Sequence, residues 1–251
     1  MSKTKKIRKK KMIKKKSKAK TRYDGRKANE MRPTTIESGV LPNADGSAYI
    51  EMGRNKILVG VFGPREMHPR RLAKPNEATV RCKYHMSPFS VSPRRSPAPS
   101  RRDMEIGMVM SWAIQPAIFL DKYPRSVIDV YTEILEADGG TRTACINAST
   151  VALVDAGIPM RDLVSSCAAG VIDGEIVLDL GDYEDKEGQA DVPVAYMPTL
   201  GQITLLQMDG VLPTKTFKGC VDLAIEGCLQ VNEIQKNALR KKYGIFGEAE
   251  E

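Results

Sequence analysis

Residues 126–155 read SVIDVYTEILEADGGTRTACINASTVALVD. Ser126–Leu135 is rich in β-branched residues and reads as a strand. Gly139-Gly140-Thr141-Arg142 follows as a glycine-rich turn. Ala144–Asp155 then reads as a helix of small residues, a composition that lets a helix pack closely against its neighbour. Strand, turn and helix follow one another here, and the segments on either side are of the same kinds.

Upstream, the pattern predicts a β-meander. Thr34–Leu41 ends at the turn signal PNADG, residues 42–46. Ser47–Met52 and Lys56–Phe62 follow on either side of Gly53-Arg54-Asn55, and Thr79–His85 alternates as a further strand. Ser90–Ser100, SVSPRRSPAPS, reads as an exposed loop between a strand and a helix. A helix is expected from Ser100, with Asp103 in its first turn. Met104, Met108 and Trp112, together with Ile106 and Val109, have helical spacing. Pro116 starts or kinks the next turn. Downstream, Ser165–Ile172 and Glu175–Leu180 flank Asp173-Gly174, the strongest short hairpin signal in the chain. Pro193–Met197 and Gln202–Asp209 read as two more strands, and residues 214–242 as a long helix. Strands grouped with helices, twice over, predict an α+β fold.

The 251 residues are 41% hydrophobic and 28% charged, a globular composition, and the formal net charge is +8. That charge is unevenly placed. Residues 1–20 hold twelve Lys/Arg and no Asp/Glu, and the remainder carries 27 basic against 31 acidic residues. Residues 1–22 are therefore expected to be a disordered Lys-rich tail and 23–251 the folded domain. Such a tail suits an anionic polymer or surface, and equally a plain solvated leader. No apolar run reaches about 18 residues, so no membrane span is expected, and the N-terminus has no secretory h-region. Cys82, Cys145, Cys167, Cys220 and Cys228 are odd in number and contain no C-x-x-C pair. This argues against disulfides or a zinc site and for the reducing cytoplasm. With only His68 and His85 as histidines, His-based catalysis is weakly supported. Walker and deaminase motifs are absent.

Three polar groups could carry chemistry. A glycine turn entering a helix, as at Gly139–Arg142, exposes backbone N–H groups and the positive end of the helix dipole, which suits a phosphate. Thr141 adds a hydroxyl and Arg142 a planar cationic fork. A plain N-cap, with Arg142 on the surface, fits the same residues. Arg70-Arg71, Arg94-Arg95 and Arg101-Arg102 could converge on a phosphodiester chain, or could be solvated loop charges. Asp182, Glu184, Asp185, Glu187 and Asp191, within GDYEDKEGQADVP (181–193), could hold Mg²⁺ or act as a general acid, or could form an acidic surface loop. Taken together, a phosphate cradle, an arginine track and paired carboxylates suggest phosphoryl chemistry on a polyanion.

Longer stretches carry a resemblance. DGR (24–26), LPNADGS (41–47), GPREMHPR (63–70), YHMSPF (84–89), PAPSRR (97–102), DAGIPMRDL (155–163) and ADVPV (190–194) resemble the catalytic RNase PH-like subunit of the archaeal exosome. The resemblance spans about residues 23–245. It implies an RNase PH domain in two parts, a first part like domain 2 of ribosomal protein S5 and a C-terminal α/β part. It implies a 3′→5′ exoribonuclease in which inorganic phosphate attacks the 3′-terminal linkage of single-stranded RNA and releases nucleoside 5′-diphosphates, reversibly. It implies assistance by Mg²⁺ or Mn²⁺. The expected partners are an inactive RNase PH-like subunit, in a hexameric ring of three heterodimers, and RNA-binding cap subunits. By position, Gly140, Thr141, Arg142 and Arg102 match phosphate-binding residues. Arg101 and Arg70 match RNA-contacting residues, Arg70 at the entrance. Asp185 and Asp191 match the catalytic, metal-associated carboxylates. Arg71 stands where a histidine is expected, and the basic leader has no counterpart in this pattern. Two rivals remain: a homo-oligomeric RNase PH that trims tRNA ends, and a non-enzymatic RNA-binding ring subunit.

Overall fold

The computed structural model describes residues 22–244. Most of the expected Lys-rich tail lies outside them. Arg22, assigned to that tail by composition, is instead buried in the body, where it pairs with an acidic side chain described below.

The first half forms a five-stranded sheet from β1 (Thr34–Ser38), β2 (Gly46–Met52), β3 (Asn55–Glu66), β4 (Thr79–Met86) and β5 (Ser126–Glu136). Its order is β1-β2-β3-β5-β4. The expected meander therefore ends at β3. The chain leaves β4 through α1 (Arg101–Ile114) and returns as β5, which pairs antiparallel with β3 and parallel with β4. A parallel pair needs a long crossover connection, and the Pro/Ser loop plus α1 supplies it. Ser100 caps α1 by accepting from the Asp103 amide while Asp103 accepts from the Ser100 amide, a capping box that explains the start of the helix. The apolar row splits between two faces. Ile106, Val109 and Met110 are buried, whereas Met104, Met108 and Trp112 are exposed beside the outer edge of β4.

From β5 the chain turns into α2 (Thr141–Asp155), buried from Thr143 through Leu153. This helix contacts β2 and β3 and also β6 (Ser165–Ile172) of a second sheet. Its small residues admit the two sheets to its surface, and Ile146 and Leu153 fill the core between them.

The second sheet continues with β7 (Glu175–Leu178). Asp173 (φ +52°) and Gly174 (φ +82°) make the two-residue hairpin expected from the sequence, with both residues left-handed. β7 ends two residues early because Asp179 is left-handed too (φ +55°). The acidic run folds as a short helix, α3 (Asp182–Glu187), rather than a loop. β8 (Ala190–Met197) begins three residues before the expected strand, which places Asp191 inside it. The expected single strand Gln202–Asp209 is broken into β9 (Gln202–Leu206) and β10 (Asp209–Gly210), both paired with β8. The break lies opposite Pro193, which accepts from the Gln207 amide (3.2 Å) and has no N–H to return. α4 (Thr214–Tyr243) lies across β6, β7 and β8 and reaches β1. Among the described residues, no helix is long and apolar enough to cross a membrane.

Candidate active site

The N-terminus of α2 opens into a cleft of about 370 Å³ between the two sheets. Gly140 is the N-cap, left-handed at φ +66°, and no side chain caps the helix. This overturns the plain N-cap reading. Thr141 does not cap: its hydroxyl shares a 2.8 Å hydrogen bond with the Tyr84 hydroxyl from β4. Thr143 turns back instead, donating to Gly140 O at 2.7 Å. With no acidic residue in the first turn, the free amides and the dipole keep their positive potential. Gly139 is dictated by space as well as by φ, and Gly140 chiefly by φ. A Cβ on Gly139 would lie 2.6 Å from the Asp182 amide nitrogen, and one on Gly140 would lie 3.1 Å from the Arg32 guanidinium.

Arg142 is half-buried. Its Nη1 donates to Gln207 Oε1 at 2.5 Å, and Nη2 stands 4.0 Å from Glu105. Its Nε is buried without a hydrogen-bond partner. Arg102, on the first turn of α1, is exposed and lines the same cleft. Arg101 lines the cleft's continuation with Glu105, Gln207 and Asp209. A guanidinium on either side of an uncapped helix N-terminus is a receptor for a tetrahedral anion.

Opposite the arginines, α3 and β8 bring Asp185 and Asp191 to the cleft wall. Burial raises the Asp191 carboxyl to about 7, the Asp185 charge adds to this, and Arg142 opposes it. Its Oδ1 is out of solvent and unpartnered. Asp185 opens into the cleft, and partial desolvation raises it as well. Arg102 opposes that rise, and Asp182 and Asp209 add to it. Carboxylates that repel one another, one with an orphaned oxygen, fit a hard cation such as Mg²⁺. Among the described residues, no group of three or more His, Cys, Asp or Glu side chains forms a complete metal cage. An ion here would complete its shell with substrate oxygens and water.

Of the remaining sequence candidates, Arg95 and Asp182 also line the cleft, and Arg70 does not. Arg70 is exposed, paired with Glu66 at 2.6 Å, and borders a separate cavity with Arg125. Arg95 lines the cleft beside Arg102 and is tied to Ser100 (3.0 Å) and Asp103 (3.2 Å), so it also supports the start of α1. Of the acids, Asp182 pairs with Lys186, and Glu184 is buried against Arg22. Sequence reasoning missed Tyr84, Gln207 and Asp209. Asp209 lies opposite Asp191 in the β8–β10 register, a neighbour that only strand pairing reveals.

A family model described as 3′ exoribonuclease family, domain 1, matches residues 30–159, and domain 2 of that family matches 162–227. The chain is 54% identical over 227 residues to the exosome complex component Rrp41 of Cenarchaeum symbiosum, covering 90% of this chain and 93% of that protein. It is 56% identical over 223 residues to that of Methanopyrus kandleri, covering 89% and 93%. Among solved structures, rice (Oryza sativa) Rrp46 superposes with a TM-score of 0.77 at 24% identity, covering 87% of this chain and all of that one. The Archaeoglobus fulgidus exosome with RNA bound to the active site gives 0.75 at 22%, covering 85% and 92%. These two likenesses show that the fold is shared. With both domain models matched in order across the two sheets, the chain belongs to the 3′ exoribonuclease family, the RNase PH type, alongside the archaeal exosome components.

Proposed function

We propose that this chain is the catalytic subunit of an archaeal-type exosome and shortens RNA from its 3′ end by phosphorolysis. One observation carries the choice of phosphate as nucleophile: the uncapped N-terminus of α2 between Arg142, with its orphaned Nε, and Arg102. A water nucleophile would need no such receptor. The terminal phosphodiester and the attacking phosphate are both anionic. Arg102, Arg142, the Thr141 hydroxyl and the turn amides offset that repulsion and hold the nucleophile in line. Arg101 and Arg70 contact the RNA backbone farther from the scissile bond. Asp185 and Asp191 would hold Mg²⁺ or Mn²⁺, which supplies Lewis-acid stabilisation of the charge that develops on the phosphoryl oxygens. With its carboxyl raised to about 7, Asp191 is half-protonated at neutral pH and, when it holds no ion, is suited to give a proton to the leaving 3′-oxygen. The same groups serve the reverse reaction, in which a nucleoside diphosphate extends the RNA.

A homologous inactive partner, in a ring of three heterodimers, fits a further feature. Met104, Met108 and Trp112 lie exposed along α1 beside the open edge of β4, a surface that a monomer seldom leaves to water. Cap subunits would add RNA-binding surface above such a ring. The cytoplasm is the setting this reading calls for, and five free thiols are in keeping with it. The test is to assemble the chain with its partner and follow poly(A) decay. Nucleoside diphosphates released only when phosphate is present are expected. Monophosphates released without phosphate would refute the reaction.

A further inference from the structure

α3 has six residues, too short to be stable alone, yet it carries Asp185. What fixes it lies behind the cleft. Glu184, next to Asp185, points away from the cleft and is buried. Its carboxylate accepts from Arg22 Nε at 2.8 Å and again from Arg22 Nη2, and from the Gly181 amide at 3.1 Å. The same guanidinium donates to Leu178 O (2.6 Å) and Asp179 O (2.8 Å) at the end of β7. Arg22 thus joins α3 to the sheet that carries Asp191.

Arg32 makes the matching connection to the phosphate turn. It forks onto Asp179 (Nε to Oδ2 2.8 Å, Nη2 to Oδ1 2.6 Å) and donates to Asp138 O (2.5 Å) and Gly139 O (3.3 Å). Gly139 in turn abuts the start of α3 with no room for a Cβ. The two halves of the site, anion turn and carboxylate helix, are therefore connected through ion pairs rooted in residues 22–32. None of these arginines lines the cleft.

We infer that Arg22 and Glu184 are positioning residues of the exoribonuclease: their ion pair sets Asp185 against Asp191 and the phosphate turn. The inference rests on the assignment of Asp185 to the reaction. Apolar packing of similar volume can replace a buried ion pair with little loss of stability. What packing cannot reproduce is the forked geometry that fixes one orientation of a two-turn helix.

The test uses the chain assembled with its partner subunit and compares Arg22→Met/Glu184→Met, Arg22→Lys and Asp185→Asn. The double variant keeps the volume and removes the fork. It is expected to fold and assemble, to keep KM for RNA and phosphate within about threefold, and to lose kcat by roughly 10- to 100-fold, the scale of a misplacement of about 1 Å. Arg22→Lys keeps the charge and one hydrogen bond, so it should recover part of that rate. A folded double variant with wild-type kcat overturns the inference while Asp185→Asn remains inactive. A near-normal Asp185→Asn overturns the underlying assignment instead. Should the double variant fail to fold, Arg22→Lys decides: lowered kcat at unchanged KM supports the inference, and unchanged kcat refutes it.

Discussion

Arg142 Nη1 donates to Gln207 Oε1 at 2.5 Å, across the point where the β9–β10 strand is interrupted opposite Pro193. The interruption lets Gln207 reach Arg142 at the helix N-terminus and hold its guanidinium. A lysine at 142 would keep the charge but lose both the fork and this contact. Arg142→Lys should therefore raise KM for phosphate by about tenfold or more, the scale of one or two charge-assisted hydrogen bonds. RNA affinity should stay nearly constant. Gln207→Ala should act in the same direction and less. Phosphate titrations at saturating RNA check both, and an unchanged phosphate KM in Arg142→Lys would remove phosphate from this site.

Asp185→Asn should abolish phosphorolysis, by roughly a thousandfold, while RNA binding and assembly persist. A carboxylate that stabilises developing charge contributes to the transition state more than to the ground state. Single-turnover rates measured together with RNA affinity separate the two effects. A parallel loss of both would assign Asp185 to RNA binding instead.

The raised carboxyl of Asp191 predicts a pH-dependent stability. Its pKa is about 7 in the folded chain against an ordinary 3.8. The folded state thus favours the protonated form. Its stabilising effect is full below pH 4 and is lost as pH rises through 7. Asp191→Asn removes that loss. The variant should match the wild type in thermal midpoint near pH 4 and exceed it at pH 8, by an upper limit of about 4 kcal/mol for a shift of about three units. Mg²⁺ should raise the wild-type midpoint at pH 8 and raise that of the variant far less. Calorimetry across this range, with and without Mg²⁺, measures both. A variant less stable at pH 8 would contradict the burial argument.

The isolated chain should be nearly inactive. Its cleft offers Arg101, Arg102 and Arg142, together with Arg95 and Lys186 that Asp103 and Asp182 already pair, and Arg70 lies elsewhere on the surface. That is too short a track to grip several phosphates. Activity should rise with the partner subunit, and Trp112→Glu on the exposed face of α1 should block both assembly and activation. Sedimentation and diphosphate release, measured at matched concentrations, test this. Full activity of the chain alone would contradict it.

The leader, residues 1–20 with twelve cations, should contact phosphates without reading bases. Deleting it should weaken RNA capture and flatten the salt dependence, each lost phosphate contact removing about 0.7 from the log–log slope. The single-turnover rate at saturating RNA should not change. An identical salt slope in the truncated assembly would make the leader irrelevant to RNA.

Several features were legible in the sequence because their causes are local. Asp173-Gly174 turns a hairpin since both residues tolerate φ above zero, Ser100 and Asp103 start α1 by capping its amides, and Gly139–Arg142 marks a turn into a helix. The stretches from DGR to ADVPV identified the family because they are long and ordered along the chain. The tertiary structure decided which of the matched side chains share a cleft. Five acids within ten residues look alike in one dimension. Only packing sends Glu184 to Arg22, leaves Asp182 to Lys186 and turns Asp191 inward until its carboxyl is raised to about 7. Arg95 and Arg102 are seven residues apart and both line the cleft, yet Arg95 is tied into the α1 cap while Arg102 stands exposed. Desolvation, strand register and side-chain direction depend on what lies across the gap. Gln207 and Asp209 reach the site only because β8, with Pro193 in its middle, sets where its neighbour strand breaks.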